Sequence, residues 1–220
     1  MSARISFEHE LKLLNKDLED MGYMIETAID KVMKAFENYD EALAEEIIKG
    51  DRTINDIEKA IESRCLSLIL RQQPVAKDLR IVTTALKVVT DMERIGDHAA
   101  DISELILRSK AVHTYDFIKP IPEMANVAKK MVHDAVAAFI NTDTDAARET
   151  MKMDDIVDEL FNQVKSDVIS YLKKSTEDAD DCIDILMIAK YMERIGDHAV
   201  NICEWTEFHA TGTVRNVRLM

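Results

Sequence analysis

Glu93 and Asp97 stand four residues apart, and so do Glu193 and Asp197, and Asp154 and Asp158. On a helix, residues four apart share a face, with Cβ atoms about 6 Å from each other. Each pair therefore presents two carboxylates side by side. Asp101 extends the first row by one more turn, and Asn201 stands at the matching place in the second. Asp51 with Asn55 is a further oxygen pair, ending in an amide where Asp154 with Asp158 ends in a carboxylate. Carboxylates crowded on neighbouring helices repel one another. A multivalent cation bridging them reverses the sign of that interaction. Oxygen donors of this kind suit iron, manganese, magnesium or calcium, and zinc less selectively. The plainer alternative is a solvated acidic face, partly neutralised by Arg94 and Arg194.

The two Glu-Asp pairs belong to an exact repeat. Met92-Glu93-Arg94-Ile95-Gly96-Asp97-His98-Ala99 recurs one hundred positions later as Met192 to Ala199. The stretch Asp51 to Asn55 with Ile57 likewise matches Asp154 to Asp158 with Leu160. A structural unit has been duplicated, with its acidic residues in place. Gly96 and Gly196 need a reason, because glycine inside a helix costs about 1 kcal/mol against alanine. Close helix packing is the expected reason, with room for a ligand as the alternative. His98 and His198 lie roughly 100° around the helix from the preceding aspartate, which suits a rim or interhelix hydrogen bond better than a ligand role.

Several chemistries lack their residues. No Glu has His three positions on, so the Glu-x-x-His pair of a di-iron oxidase is missing. There is no Gly-rich phosphate loop, no GxSxG and no HExxH. Enzymatic catalysis is therefore not expected. A net charge of −14 argues against a nucleic-acid surface and against attraction to anionic lipid. Cys65, Cys182 and Cys203 are odd in number and widely spaced, and read as reduced core residues of a cytoplasmic protein. The N-terminus has no apolar signal core, and no run approaches the ~18 apolar residues of a membrane span, so no membrane insertion is expected.

The elements that would carry these residues are helical. Five Gly and three Pro in 220 residues, against abundant Ala, Glu, Lys, Leu, Ile and Met, disfavour a β protein. Phe7, Leu11, Leu14, Leu18, Met21, Ile25, Ala28 and Val32 step by fours and threes, a heptad seam that ends near Glu37 to Asp40. A short helix from Glu41 to Ile48 is expected to stop at Gly50, followed by long helices over about 51–70 and 75–109. In the last of these the face carrying Leu79, Val82, Leu86 and Val89 turns acidic at Glu93. The opposite side stays apolar, with Ile81, Val88, Ile95, Ala99, Ile102 and Ile106. Pro120 and Pro122 mark a linker. The plan then repeats, with helices over about 123–140, 144–151, 154–174 and 178–209. The reading is an all-α chain of two tandem, pseudo-symmetric three-helix bundles, residues 1–112 and 123–209, with a linker at 113–122 and a loosely held tail at 210–220.

At these residues the chain resembles the PhoU family of phosphate-uptake regulators. The likeness lies in Gln73-Pro74-Val75-Ala76-Lys77-Asp78-Leu79-Arg80, in Leu86-Lys87 with Asp91 to Asp97, in Glu193 to Asp197, and in the opening helix through Met21-Gly22. It covers about residues 5–208. The resemblance implies two PhoU-like bundles in a cytoplasmic, homodimeric accessory protein of the phosphate-specific ABC transporter. It implies partnership with the transporter's ATPase subunit and with a PhoR-type sensor histidine kinase, and negative regulation of phosphate uptake and of the phosphate regulon. It further implies multinuclear metal clusters of iron or zinc, with manganese or magnesium as alternatives. Carried over, the metal residues are Glu93, Asp97, Asp101, Asp51 and Asn55 in the first half, and Glu193, Asp197, Asn201, Asp154 and Asp158 in the second. Asn55 and Asn201 depart from an all-carboxylate pattern, so the two sites need not be equal. A metal-dependent enzyme or a metal store built on the same carboxylates is the rival reading, and a plain helical adaptor is the third.

Overall fold

Apolar residues stepping by threes and fours produce seven α-helices among the described residues, which are 3–109, 116–214 and 217–218 of this computed structural model. They are α1 (Ala3–Asn38), α2 (Glu41–Gln72), α3 (Lys77–Arg108), α4 (Ile121–Asn141), α5 (Thr144–Met151), α6 (Asp154–Leu172) and α7 (Ala179–Thr211). A 3-10 turn, Asp116–Ile118, precedes α4. Helices α1, α2 and α3 form the first bundle. Helices α4, α6 and α7 form the second, with the short α5 leading into α6. The expected pair of three-helix bundles is the observed fold.

The predicted seam is the core of the first bundle. Phe7, Leu14, Leu18, Met21, Ile25 and Val32 are buried, with Leu11 and Ala28 packed partly against them. Aspartates start the second element in both halves: Asp40 accepts from the backbone N–H of Leu43, and Asp143 from those of Asp145 and Ala146. Cys65, Cys182 and Cys203 are free and buried. Burial pushes the Cys65 and Cys203 thiols up to about 12, so neither is a ready nucleophile.

The buried residues form one continuous cluster from Phe7 to Cys203. The bundles are joined along α3 and α7, which run antiparallel. Arg108 reaches Asp184 near one end of the pair (3.2 Å). Arg80 Nε donates to the His209 carbonyl near the other (3.1 Å). Helices α1 and α4 make a second contact, with Lys129 on Asp30 at 2.6 Å and His133 on Glu26 at 3.0 Å.

Three expectations need correcting. Gly50 does not interrupt the chain: α2 runs through it from Glu41 to Gln72. Ala44 and Ile47 before Gly50, and Ile54, Ile61, Cys65 and Leu68 after it, are buried on the same helix. That packing outweighs the modest cost of one glycine. The matching break is real only in the second half, where Lys152 and Met153 turn between α5 and α6. Pro122 belongs to the first turn of α4 rather than to the linker, since the N–H that proline lacks has no helical partner there anyway. The rest of the proposed 113–122 linker lies partly outside the described residues. Finally, α7 extends to Thr211 and is capped by Gly212 in the left-handed conformation (φ 79°). Beyond it Thr213–Val214 (β1) pairs antiparallel with Val217–Arg218 (β2).

A Cβ added at Gly50 meets no atom within 4 Å. Gly50→Ala should therefore stabilise the protein by about 0.5–1 kcal/mol, by relieving the entropic penalty of glycine inside a continuous helix. Urea denaturation followed by circular dichroism reads this, and destabilisation would mean that the helix is broken at residue 50.

Candidate metal-binding faces on the repeated helices

Both octapeptides lie mid-helix, on α3 and α7, and each turns its Glu-Asp pair toward the second long helix of its own bundle. In the first half this brings Glu93 and Asp97 near Asp51 on α2. Burial, then the charge of Asp97, raises the Asp51 pKa, with Asp101 adding to it. Burial followed by Asp97, Glu58 and Asp51 raises that of Glu93. In the second half burial, and then Asp158, Asp197 and Glu193, push Asp154 up to about 6. Asp197 is raised by burial and by Glu193. The cause is the same throughout: partial desolvation plus like charge.

Three oxygens in these faces are buried without a hydrogen-bond partner: Asp51 Oδ1, Asn55 Oδ1 and Asp154 Oδ1. Asn55 donates its amide to Asp51 Oδ2 at 3.1 Å, which leaves both free oxygens as acceptors only. An orphaned buried oxygen costs about 1–3 kcal/mol. These donors are hard and anionic or carbonyl in character, the chemistry a multivalent cation requires. The carboxylates are currently engaged with local cations. Arg94 lies on Asp97 at 2.9 Å and on Glu93 at 3.5 Å. Arg194 lies on Asp197 at 3.4 Å, and Lys190 on Glu193. The donor types are those a multivalent cation takes, but among the described residues no three of them are arranged to hold one.

Eight of the ten residues singled out from the sequence, namely Asp51, Asn55, Glu93, Asp97, Asp154, Asp158, Glu193 and Asp197, thus fall into two faces. Asp101 sits at the margin of the first, contributing to the Asp51 field while approaching His98 at 3.4 Å. Asn201 is a correction. Its amide is committed to Asp91 across the bundle interface (3.1 Å) rather than joining Glu193 and Asp197. The reason is helical drift: each step of four residues turns about 40° further. Two steps from Glu193 bring position 201 round to the neighbouring bundle.

Asp91 is the residue that sequence reasoning missed. Its side chain is only 14% exposed. It accepts from Asn201 and from Trp205 Nε1 (3.2 Å), and it contacts His198 Nδ1 at 2.9 Å. On the other side of the pseudo-two-fold, His98 packs at 5.3 Å from the Tyr191 ring and 5.5 Å from His198. The expected interhelix hydrogen bond is thus the one His198 makes. The only signal in the sequence was position: Asp91 and Tyr191 occupy equivalent places just before the two octapeptides. Glu58 was missed as well. It lies seven residues after Asp51 on the same stripe, and its pKa is raised by burial, Glu62 and Asp97.

The repeated glycines receive side chains. A Cβ on Gly96 would stand 3.0 Å from Ile54 Cγ2. One on Gly196 would stand 3.1 Å from Asp154 Oδ1 and 3.7 Å from Val157 Cγ1. The first glycine serves helix packing alone, while the second also makes room for the orphaned carboxylate oxygen.

The Asp154 shift sets a pH test. A carboxyl whose folded pKa is about 6 against an ordinary 3.8 holds a proton in the folded state that the unfolded state has released. Stability is therefore lost as pH rises from about 4 through 6. In chelator-treated buffer, Asp154→Asn should raise the melting temperature at pH 7. The gain should shrink on acidification through pH 6 and disappear near pH 4. A gain independent of pH in calorimetric melts would show that Asp154 carries no such penalty.

The chain's relatives agree with this architecture. The PhoU domain family matches residues 18–106 and 121–206, once in each bundle. A phosphate-specific transport system accessory protein PhoU homolog of Clostridium acetobutylicum is 40% identical over 211 residues, covering 96% of each chain. The phosphate-specific transport system accessory protein PhoU of Escherichia coli is 30% identical over 206 residues, covering 94% of this chain and 86% of that one. The crystal structure of the phosphate transport system regulatory protein PhoU from Streptococcus pneumoniae superposes with a TM-score of 0.89 at 27% identity, over 96% of this chain and all of that one. Two family matches on duplicated bundles, with relatives similar over nearly their whole length, establish that this chain belongs to the PhoU family.

Proposed function

We propose that the protein regulates phosphate transport as a non-enzymatic accessory factor. The observation that carries this reading is the likeness, along nearly the whole chain, to proteins named as accessory to the phosphate-specific transport system. In this reading it works in the cytoplasm as a homodimer, on the ATPase subunit of the phosphate ABC transporter and on a PhoR-type sensor kinase. It restrains uptake and keeps the phosphate regulon off when phosphate is ample. No helix among the described residues is long and apolar enough to cross a membrane, so contact with a transporter would run through protein surfaces. Exposed Leu66, Leu70 and Val75 around the α2–α3 turn offer apolar surface for such contacts.

The two acidic faces are proposed to bind multivalent cations, with iron or zinc first and manganese or magnesium as alternatives. Asp51, Asn55, Glu93 and Asp97, with Asp101 and Glu58 at hand, would hold the ion in the first half. Asp154, Asp158, Glu193 and Asp197 would do so in the second. A bound cation would supply the partner that Asp51 Oδ1, Asn55 Oδ1 and Asp154 Oδ1 lack. It would also offset the carboxylate repulsion, stiffening the α2–α3 and α6–α7 grooves.

A strain lacking the gene should express phosphate-starvation genes in phosphate-rich medium, and only when the transporter and sensor kinase are intact. Continued repression in that strain, or turnover of a phosphate ester by purified protein, would overturn the regulator reading. Glu193→Gln combined with Asp197→Asn should lower metal content by elemental analysis while leaving helicity unchanged. Equal metal content in variant and parent would remove the second face from the assignment.

A further inference from the structure

One copy of the repeat leaves open a space that the other copy fills. A cavity of about 280 Å³ lies between α1, α2 and α3. Met24 and Ala28 wall it on one side, Ile47, Gly50 and Ile54 on the other, and it reaches in as far as Gly96. Asp40 and Asp143, like Asp51 and Asp154, are 103 positions apart, and this displacement puts Ala28 opposite Met131 and Gly50 opposite Met153. In the second bundle Met131 is buried, with its methyl 3.8 Å from where a Cβ on Gly196 would stand. Met153 packs partly buried against the core. The groove over α4 and α5 is bordered instead by charged residues, among them Lys130, Asp134 and Glu149. Two small residues therefore open in the first bundle what two methionines occupy in the second. Gly50 packs against nothing, since an added Cβ meets no atom within 4 Å. A glycine inside a helix weakens it, and what it offers in return is room for close approach of a ligand to the backbone.

The apolar walls end at one unsatisfied acceptor. Asp51 stands in the cavity wall beside Gly50. Its Oδ2 accepts from Asn55 at 3.1 Å, and its Oδ1 is buried without a partner. Arg94 covers Asp97 and Glu93, and Asp51 has no ion pair of its own among the described residues. The charges that reach Asp51 are those of Asp97 and Asp101, both acidic, which favours a positive charge beside it. Lys31 also borders the cavity, but it spends its ammonium on Glu46 at 2.6 Å. The exposed Tyr23 stands at the margin. Mostly apolar walls with a few placed polar groups are the composition of a ligand site, and the volume lies near the lower end, about 300 Å³, of such sites.

We propose that this cavity binds a small organic cation with an aromatic or branched aliphatic body, the body lying against Gly50 between α1 and α2 and the cationic end reaching Asp51. The cation donates to Oδ1 and satisfies the acceptor that the free chain leaves unpaired. The body takes Ala28, Ile47 and Ile54 out of water. The site belongs to the first bundle alone, because Met131 and Met153 close its counterpart. It does not depend on the metal reading given above.

The probe is phenethylammonium, with phenethyl alcohol as a neutral counterpart of nearly the same shape, each titrated into the full chain in excess chelator. Methyl NMR of the methionines reads the outcome, since Met24 borders the cavity while Met131 and Met153 report on the second bundle. The ammonium should shift Met24 saturably, with a dissociation constant on the order of 1 mM, and leave Met131 and Met153 unmoved. The alcohol should bind about tenfold more weakly, the scale of one charge pair in a half-buried site. Asp51→Asn should bring the two probes to similar affinity. Gly50→Met and Ala28→Met each place in the first bundle the residue that the second carries. Both should remove the response to either probe, with circular dichroism checking that each folds as the parent does; if one does not fold, the other decides. A Met24 signal unmoved by the ammonium, equal affinities of the parent for the two probes, or undiminished binding in the folded methionine variants overturns the proposal. So does a Met24 signal that moves with protein concentration in the absence of probe, since a second copy of the chain then fills the cavity.

Discussion

The antiparallel pairing of α3 with α7 is the constraint on which the rest of the molecule depends. Each repeated helix serves two bundles at once. Ile95, Ala99 and Ile102, like Ile195, Ala199 and Ile202, are wholly or almost wholly buried, and a single core runs through both halves. At the join the fold has withdrawn two carboxylates from water, Asp184, which Arg108 pairs with, and Asp91. Desolvating a charge costs several kcal/mol unless it is fully hydrogen-bonded. Asn201, Trp205 and His198, all from α7, surround Asp91. That set of partners works in one register only, so Asp91 fixes the offset of the two helices more sharply than the surrounding aliphatic contacts can.

Once α3 and α7 have committed one side to each other and another to their own cores, the Glu-Asp pairs are left facing the grooves against α2 and α6. Charge balance there is local. Arg94, Arg194 and Lys190 are drawn onto the carboxylates one turn or less away. The grooves are half-buried, which explains why Asp51, Glu93, Asp154 and Asp197 all shift in the same direction. The glycines of the repeat complete this arrangement. At Gly96 the side chain of Ile54 presses onto the helix, and at Gly196 an Asp154 oxygen takes part of that space. One backbone solution has accommodated an apolar contact in one half and a polar one in the other.

Duplication therefore explains the architecture, and divergence explains the chemistry. The exact octapeptides hold the helix-packing register, whose loss would unseat both bundles. The residues around them have been free to change. Asn55 faces Asp158 across the repeat, Glu58 faces Phe161, Thr90 faces Lys190, and Asp91 faces Tyr191. Each of these pairs borders an acidic face or the bundle interface, and each alters charge or hydrogen bonding rather than volume alone.

The sequence by itself determined the helical class, the duplication and the seam of α1, because periodicity and exact repetition are properties of a chain before it folds. It also determined which carboxylates pair along each helix, since spacing by four is a local geometric rule that α3, α6 and α7 obey. Three things belonged to the tertiary structure alone. The continuity of α2 through Gly50 follows from burial on both sides of the glycine, which local propensity does not register. The departure of Asn201 from the acidic row, and the importance of Asp91, follow from which face of α3 meets which face of α7. The difference between the two acidic faces follows from side chains on separate helices, Lys190 and Phe161, whose 5.3 Å approach no spacing within one helix could reveal. Contacts within a helix are written in the sequence because the backbone fixes their geometry. Contacts between helices depend on how whole faces dock, and there the fold decides.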